Sequence, residues 1–489
     1  MSTYVAGKNL AVLFFYLFCN AALCALYPFY IVFGVNLLLI LSFVFSIKPA
    51  WGVYFLIFLV PISRDSIYFA FTGAWNFQIN DAYTNLIPVF TPVFIFTCIG
   101  FLLHKGASLR MSTARNPANV LFLSMAVYAA FTLFWSDNLP HGLFQYCYLV
   151  SNIVLLGIVV SSAANEQTHR KIMWCLLLSC LLQAVLSYVF RFMETSIFER
   201  EFIGDVIVGV RNYGGLILSA DGSPVQAHGL QEAHETSMLM NIFMGVAAGL
   251  FLTEKSRGKR VFLAFCFIAG LSVLIGTESR AGAAAFIAMG LFFLFFYQKT
   301  SKALVRSAVI FLAFALVFYV VEQKAFSALA GKEETVMRLL MLGQKAIDTG
   351  DVIDPGLSVK EGSGPGRRTI WGTGLSGLSG MWPVGLGIGN YKYHYKIPHA
   401  HSVPLSLFFD FGLIGLLLFA SILYAIAKYY LNIVKLQHTY LQIMSLCLMS
   451  TLVAVVVQGC FDFDYTYPII WLFGSILFST LLLTNKPLV

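Results

Sequence analysis

Three histidines lie close together before a long apolar segment, at positions 394, 399 and 401. Ser402 is a good helix N-cap residue and Pro404 would fall in the first turn, so we predict a helix that begins just after His401. The positive end of a helix disfavours a charged imidazole, which leaves a neutral ring able to accept a proton near neutral pH. His401 is therefore the candidate general base, and His399 a candidate substrate-binding residue. The simpler alternative is a histidine that caps a helix at the membrane interface.

Zinc is the metal alternative for the same segment. Residues 394–402 contain no Asp, Glu or Cys that would complete a ligand set with zinc-site spacing. The nine cysteines of the chain form no C-x-x-C pair. We therefore predict no metal and no cofactor.

Two groups of arginines could bind an anion. Arg280 follows a tight turn and begins an apolar segment, where an unpaired charge is costly and indicates function. Arg367 and Arg368 lie in a glycine-rich stretch, and guanidinium groups bind phosphate oxygens in bidentate fashion. A salt bridge from Arg280 to Glu278, or a side chain that extends to the interface, is the structural alternative.

Other polar segments carry weaker signals. Residues 385–390 resemble a dinucleotide loop but lack the G-x-G-x-x-G spacing and follow no predicted strand. Residues 221–235 contain His228, Glu232, His234 and Glu235 without the H-E-x-x-H spacing of metalloproteases. Asp462 and Asp464 could bind a sugar or orient an arginine, but a solvated turn between two spans is the favoured interpretation.

The elements that must position these residues are membrane spans. Of the 489 residues, 59% are hydrophobic and only 11% are charged, against about 25% charged in soluble domains. This composition excludes a disordered protein, a nucleic-acid binder and an ordinary soluble enzyme. Apolar runs predict fourteen spans that begin near residues 10, 29, 51, 86, 118, 143, 172, 236, 261, 281, 304, 402, 438 and 467. The fold class is all-α, a polytopic bundle of about 12 to 14 spans.

Charge asymmetry between the connecting segments predicts the orientation. One alternate set holds 17 Lys and Arg and two acids, and the opposite set holds 14 Lys and Arg and 21 acids. The first set is therefore cytoplasmic and includes both termini. The chain is predicted to be a single membrane domain over residues 1–489, with periplasmic loops at 192–235 and 322–401. The second loop is expected to contain short helices and part of the active site.

The motifs, in this order, resemble those of the bacterial O-antigen ligase and O-antigen polymerase superfamily. Residues 279–282 (SRAG) are similar to an S-R-[AG] element at the start of a span. Gly366-Arg367 with Trp371 resembles G-R-x-x-[IL]-W, followed by a P-x-G-x-G-x-[GN] stretch that ends at Asn390. His401-Ser402, nine residues and then Gly412 resemble the ligase-type pattern H-[NSQ]-x9-G.

The resemblance implies a metal-independent membrane glycosyltransferase of the bacterial inner membrane, with a periplasmic active site. Its donor would be a glycan linked to a polyprenyl diphosphate, and its acceptor a glycan or lipid A-core. His401 would act as base, Arg280 and Arg367 would stabilise the leaving diphosphate, and further residues would bind substrate, namely Arg368, Trp371, His399 and Asn390. Membrane lipid is the other expected partner, and nucleic acid is not expected.

Three functions stay open from the sequence. The paired threonines typical of ligases are absent, since residues 413–416 are LIGL, and this favours a polymerase slightly over a ligase. A transporter of lipid-linked oligosaccharides is the alternative from another class. Transporters place charged sites near the bilayer midplane, whereas most spans here lack charges and Asp410 is the chief exception.

Overall fold

Apolar helices make up most of the described part of this computed structural model. The structure describes residues 40, 43–62, 68–69, 87–88, 91–105, 117–163, 165–193, 233–297, 309, 367–378, 381–391, 400–433 and 439–484. The span predicted near residue 10 lies outside these residues, as do most of the spans predicted near residues 29 and 304 and nearly all of the predicted loop 192–235.

The described residues form a helical bundle, which confirms the predicted fold class. Its helices are α1 (Pro49–Ile62), α2 (Thr91–Lys105), α3 (Pro117–Thr132), α4 (Leu139–Ser162), α5 (Glu166–Met193), α6 (Ala233–Thr253), α7 (Arg257–Gly276), α8 (Arg280–Tyr297), α9 (Arg367–Gly377), α10 (Val403–Ile433), α11 (Tyr440–Gly459) and α12 (Pro468–Thr484). A 3₁₀ turn, Leu133–Trp135, extends α3, and strands β1 (Tyr68–Phe69) and β2 (Ile87–Pro88) pair antiparallel.

Eleven of these helices coincide with predicted spans, and α9 is a short helix within the predicted loop 322–401. Seven of the described helices are long and apolar enough to cross a membrane: α4, α5, α6, α7, α8, α10 and α11. Large apolar side chains such as Leu103, Val261 and Phe265 are exposed on the helix surfaces. In water such a surface would be unfavourable, whereas lipid accommodates it. The chain is a multi-pass membrane protein.

Helix α6 lies at the centre of the bundle, against α7 and α11. Small residues allow its close approach to α11. A Cβ atom on Gly245 would overlap the Thr451 hydroxyl, and one on Gly249 would lie 2.7 Å from the Met444 sulfur. Such small-residue contacts are typical of helix packing in membranes, where van der Waals contact drives association.

The helix ends form two polar regions. One region, the His401 end, contains the starts of α4, α6, α8 and α10 and the ends of α3, α7 and α11. The other, the His169 end, contains the starts of α5 and α11 and the end of α12. All described residues of the predicted site belong to the His401 end.

Candidate functional site at the His401 end

Helix α10 is broken at Gly412, where φ is 63° and ψ is −159°. The break releases backbone groups that a continuous helix would pair. Two of them donate to the preceding loop: the Leu413 N–H to the Trp382 carbonyl at 3.0 Å and the Ile414 N–H to the Pro383 carbonyl at 3.2 Å. Interrupted backbone is tolerated in a membrane protein only where such groups find partners. The sequence predicted one continuous helix here, because the apolar run is uninterrupted.

The partner of the break is a turn-rich segment, residues 381–391, which we call the glycine loop. On the other side of Gly412, the carbonyls of Phe409 and Asp410 accept hydrogen bonds from the loop at 2.8 and 3.0 Å. The backbones meet so closely that a Cβ on Gly385 would lie 2.4 Å from the Gly412 nitrogen. Gly385 also has φ +78°, a conformation that favours glycine. The glycines of this loop thus serve backbone packing.

The carboxylate of Asp410 fixes the end of the glycine loop. It is 4% exposed and accepts backbone N–H groups of Gly389 at 3.2 Å and Tyr391 at 3.4 Å. The Tyr465 hydroxyl donates to it at 2.7 Å. Burial and the neighbouring Asp410 raise the pKa of Tyr465 well above its usual value, so the phenol stays protonated as a donor.

The opposite side of the glycine loop rests on α3 and the 3₁₀ turn. The Tyr128 hydroxyl donates to the Val384 carbonyl at 3.0 Å, and the Thr132 hydroxyl accepts the Ile388 N–H at 3.1 Å. Asn390 is fully buried and its amide is engaged: it accepts from the Ser136 hydroxyl at 2.9 Å and donates to the Leu386 carbonyl at 2.6 Å. The substrate-binding role predicted for Asn390 stays a prediction.

Helix α9 is attached to the residue that precedes His401. The Trp371 indole N–H donates to the Ala400 carbonyl at 2.8 Å. The Tyr391 hydroxyl donates to the Ile370 carbonyl at 3.2 Å. Gly374 allows close packing, since a Cβ there would lie 2.4 Å from the Phe409 ring. The helix that carries Arg367 and the segment that carries His401 are therefore held together.

Arg367 and Arg368 are the first two residues of α9, one helical turn before Trp371. Their side chains, and all of His399, lie outside the described residues. The structure thus describes their connection to the site only through the backbone of α9.

His401 is half-buried and adopts a left-handed conformation, with φ 51°. A left-handed backbone at a non-glycine residue is strained, and such strain concentrates at functional sites. The predicted cap of the next helix is confirmed: the Leu405 N–H donates to the Ser402 hydroxyl at 3.4 Å. His401 therefore stands directly outside a capped helix N-terminus.

Arg280 is the first residue of α8 and its side chain is exposed. The turn before it is fixed by the Ser279 hydroxyl, which accepts the Gly282 N–H at 3.0 Å. The Asn241 amide of α6 donates to the Gly282 carbonyl at 3.1 Å. The start of α8 is thereby tied to the start of α6.

Helix α11 connects the arginine and histidine parts of this end. The Gln458 amide donates to the Ser237 hydroxyl of α6 and to the His234 carbonyl at 3.0 Å. A Cβ on the neighbouring Gly459 would lie 3.4 Å from the Val403 side chain, at the start of α10. The last turn of α11 thus lies between the segments that carry Arg280 and His401.

No role was predicted for Tyr465, and His234 and Asp462 gave separate, weaker signals that did not predict their pairing. Asp410 gave one signal, a carboxylate inside an apolar run. His234 and Asp462 are 228 positions apart, and their Nδ1 and Oδ2 atoms are 3.8 Å apart. Within the part of the chain that the structure describes, no group of three or more His, Cys, Asp or Glu side chains could hold a metal ion.

A protein-family model matches the part of the chain that contains most of this site. Residues 264–420, about a third of the chain, match the family model described as O-antigen ligase. This match includes Arg280, the glycine loop, His401 and the break at Gly412. None of the curated proteins matches the chain. The family match over residues 264–420 confirms the resemblance to the O-antigen ligase and O-antigen polymerase superfamily.

Proposed function

We propose that the protein is a glycosyltransferase of the periplasmic membrane face, which transfers a glycan from a polyprenyl diphosphate to a sugar hydroxyl, as an O-antigen polymerase does. The observation that supports it most is the connected unit of α9, the glycine loop and the start of α10. This unit joins the helix of Arg367 to His401 and lies within the family match. The family supports a membrane glycosyltransferase-like enzyme of the O-antigen type in general.

The proposed reaction needs a base and a cationic site. The acceptor hydroxyl oxygen forms a bond to the anomeric carbon, while the bond between that carbon and the diphosphate oxygen breaks. The hydroxyl proton passes to His401, and the electron pair of the broken bond leaves on the lipid diphosphate. Arg280 and Arg367 stabilise the charge that develops on this leaving group. In this proposal the cations are guanidinium groups and the reaction is metal-independent.

His401 suits the role of base for two reasons. It lies next to the positive end of α10, which favours the neutral ring that can accept a proton. Its position is also fixed on both sides, by the Trp371 bond to Ala400 and by the Ser402 cap. A base held in place in this way contributes about 10²–10⁴-fold to the rate.

The remaining predicted residues are assigned to substrate binding. Arg368 is the second residue of α9, and His399 directly precedes Ala400 in the sequence; both would contact the diphosphate and sugars. Trp371 and Asn390 use their polar atoms within the protein, so their part in substrate binding would be through ring contact and loop position.

An apolar cavity supplies a place for the lipid chain. It has a volume of 440 Å³ between α6, α7, α8 and α11, and its lining includes Met244, Phe251, Phe267, Phe286, Met289 and Phe293. Phe286 and Phe293 follow Arg280 on the same helix by six and thirteen residues, about 9 and 20 Å along its axis. A lipid with its diphosphate at Arg280 would thus reach the cavity with its polyprenyl chain.

The charge asymmetry of the sequence supports the proposed location. The His401 end corresponds to the segments with the excess of acids, which supports a periplasmic location for this end and a cytoplasmic location for both termini. The membrane proposed is the bacterial inner membrane. The donor, a glycan or lipid A-core acceptor and membrane lipid are the proposed partners.

Two other functions have specific support. A ligase that transfers the glycan to lipid A-core fits the same family match as the polymerase does, whereas the sequence LIGL at residues 413–416 favours the polymerase. The broken helix α10 is a feature that transporters share. Here, however, the freed backbone groups pair with the glycine loop, which favours a structural role of the break.

Product analysis in a deletion strain tests these functions. Loss of the O-chain ladder, with single units still attached to lipid A-core, is the expected result. Accumulation of polymer on the polyprenyl carrier would instead establish a ligase. Purified protein with labelled lipid-linked glycan separates enzyme from transporter, since movement between leaflets without a new glycosidic bond would refute the proposal.

A further inference from the structure

A histidine–aspartate pair lies at the His401 end outside the family match. The His234 Nδ1 is 3.8 Å from the Asp462 Oδ2. The Asp462 side chain is 1% exposed, whereas that of His234 is 46% exposed. The carboxylate therefore lies on the Nδ1 side of the ring. Because Nδ1 faces the carboxylate, Nε2 is on the far side of a ring that is open to its surroundings.

Two side chains hold the backbone of His234 in place. Its carbonyl accepts hydrogen bonds from the Gln458 amide at 3.0 Å and from the Ser237 hydroxyl at 2.6 Å. The Asp462 N–H in turn donates to the Gln458 carbonyl at 3.1 Å. One residue, Gln458, therefore holds both members of the pair.

The pair lies between the two parts of the proposed active site. Ser237, one turn after His234, is close to the first turn of α8, since a Cβ on Gly282 would lie 2.7 Å from the Ser237 Cβ. Gly282 is two residues after Arg280. On the other side, Gly459 contacts Val403, which is two residues after His401.

We propose that His234, with Asp462 on the Nδ1 side of its ring, is a further anion-binding group that contacts the diphosphate of the donor together with Arg280. The inference rests on the proposed function. A diphosphate that links a lipid to a sugar carries one negative charge on each phosphate and gains another when the sugar leaves. Arg280 lies at the start of α8 and His234 at the start of α6, on the adjacent helix, so the two side chains would share the binding of this charge.

Binding of undecaprenyl diphosphate to the purified full-length protein in lipid nanodiscs tests the inference. His234→Gln should weaken binding by about tenfold or more, the value of one charge-assisted hydrogen bond. Asp462→Asn should weaken it in the same direction. His234→Lys keeps a positive charge and should retain most of the affinity. Lys259→Gln is the control, because it removes an exposed cation that pairs with Glu254 away from the site.

The outcomes separate the inference from the proposed function. Equal loss in His234→Gln and His234→Lys would show that the ring only supports the fold, and would overturn the inference. Normal binding in His234→Gln, with weakened binding in Arg280→Gln, would also overturn it while leaving the proposed function intact. Normal binding in both variants, together with unchanged glycan transfer, would refute both. In transfer assays, His234→Gln should raise the KM for the donor more than it lowers kcat.

Discussion

The two ends of the helix bundle use histidine and arginine in opposite ways. At the His169 end, the His169 ring is fully buried and both nitrogens have partners: the Tyr440 hydroxyl at 3.0 Å and the Thr480 hydroxyl at 2.6 Å. Arg170 pairs with Glu166 at 3.0 Å and lies over the Tyr440 ring at 3.8 Å. These polar groups satisfy one another and connect α5, α11 and α12.

At the His401 end the side chains of the proposed site are more accessible than His169. Arg280 is exposed, His234 is half-exposed and His401 is held in a left-handed conformation. Asp410, Asn390 and Gln458 each bind at least one backbone group at this end. Polar groups that bind each other indicate a structural role, whereas a fixed backbone beneath accessible side chains is what the proposed binding site requires.

His401→Ala should produce the largest loss of function. Transfer should fall by about 10²–10⁴-fold, because the acceptor hydroxyl loses the general base proposed for it, while the protein stays folded and inserted in the membrane. The glycan ladder on a gel and thermal unfolding of the purified variant measure the two effects. His169→Ala should do the reverse. It removes the partner of the buried Tyr440 hydroxyl, while Thr480 keeps its hydrogen bond to the Ile476 carbonyl. The change should cost stability, about 1–3 kcal/mol, with little change in transfer per folded molecule. A near-normal ladder in His401→Ala would eliminate His401 as the base.

Part of this contrast could be predicted from sequence. The helix starts at Arg280 and after Ser402 follow from hydropathy and capping, which are local signals. The start of α2 was predicted near residue 86, but the helix begins at Thr91, because Ile87 and Pro88 pair with β1.

The long-range contacts had no local signal. The break at Gly412 lies inside an apolar run that predicts a continuous helix, and it exists because the glycine loop supplies hydrogen-bond partners. The pairing of His234 with Asp462 depends on how α6 and α11 pack. Hydropathy and motif spacing do not encode such contacts. Of the residues that hold the glycine loop, Asp410 alone gave a sequence signal, because it is a charge within an apolar run.

Gly385→Ala should be the next most damaging change. A left-handed backbone costs an alanine about 1–2 kcal/mol, and the added Cβ would lie 2.4 Å from the Gly412 nitrogen. The glycine loop must therefore move away from α10. A shift of about 1 Å can lower a rate about 10²-fold, so we expect a comparable loss of transfer with a lower unfolding temperature. Gly157→Ala is the matched control, since nothing lies within 4 Å of a Cβ there. Equal behaviour of the two variants would contradict the role of the loop.

Arg280→Lys should reduce transfer by about tenfold to a hundredfold. The charge is kept, but the bidentate hydrogen bonds of a guanidinium to phosphate oxygens are lost, at about 1.5–3 kcal/mol. Initial rates at several donor concentrations measure the effect. Arg170→Lys makes the same exchange at the His169 end, where the arginine pairs with Glu166, and should leave transfer unchanged. Retained activity in Arg280→Lys would favour a side chain that only extends to the interface.

Filling the apolar cavity should have the smallest effect and should depend on the lipid. Ala248 lines the cavity of 440 Å³, and Ala248→Phe would occupy part of the space proposed for the polyprenyl chain. We expect the KM for a long-chain donor to rise a few-fold, because the chain loses apolar contact worth about 0.8 kcal/mol per methylene group. A donor with a short geranyl chain would fill little of the cavity beyond Phe286, so its KM should rise less than that of the long-chain donor. Equal loss with both donors would assign the effect to helix packing, and no loss with either would place the lipid chain elsewhere.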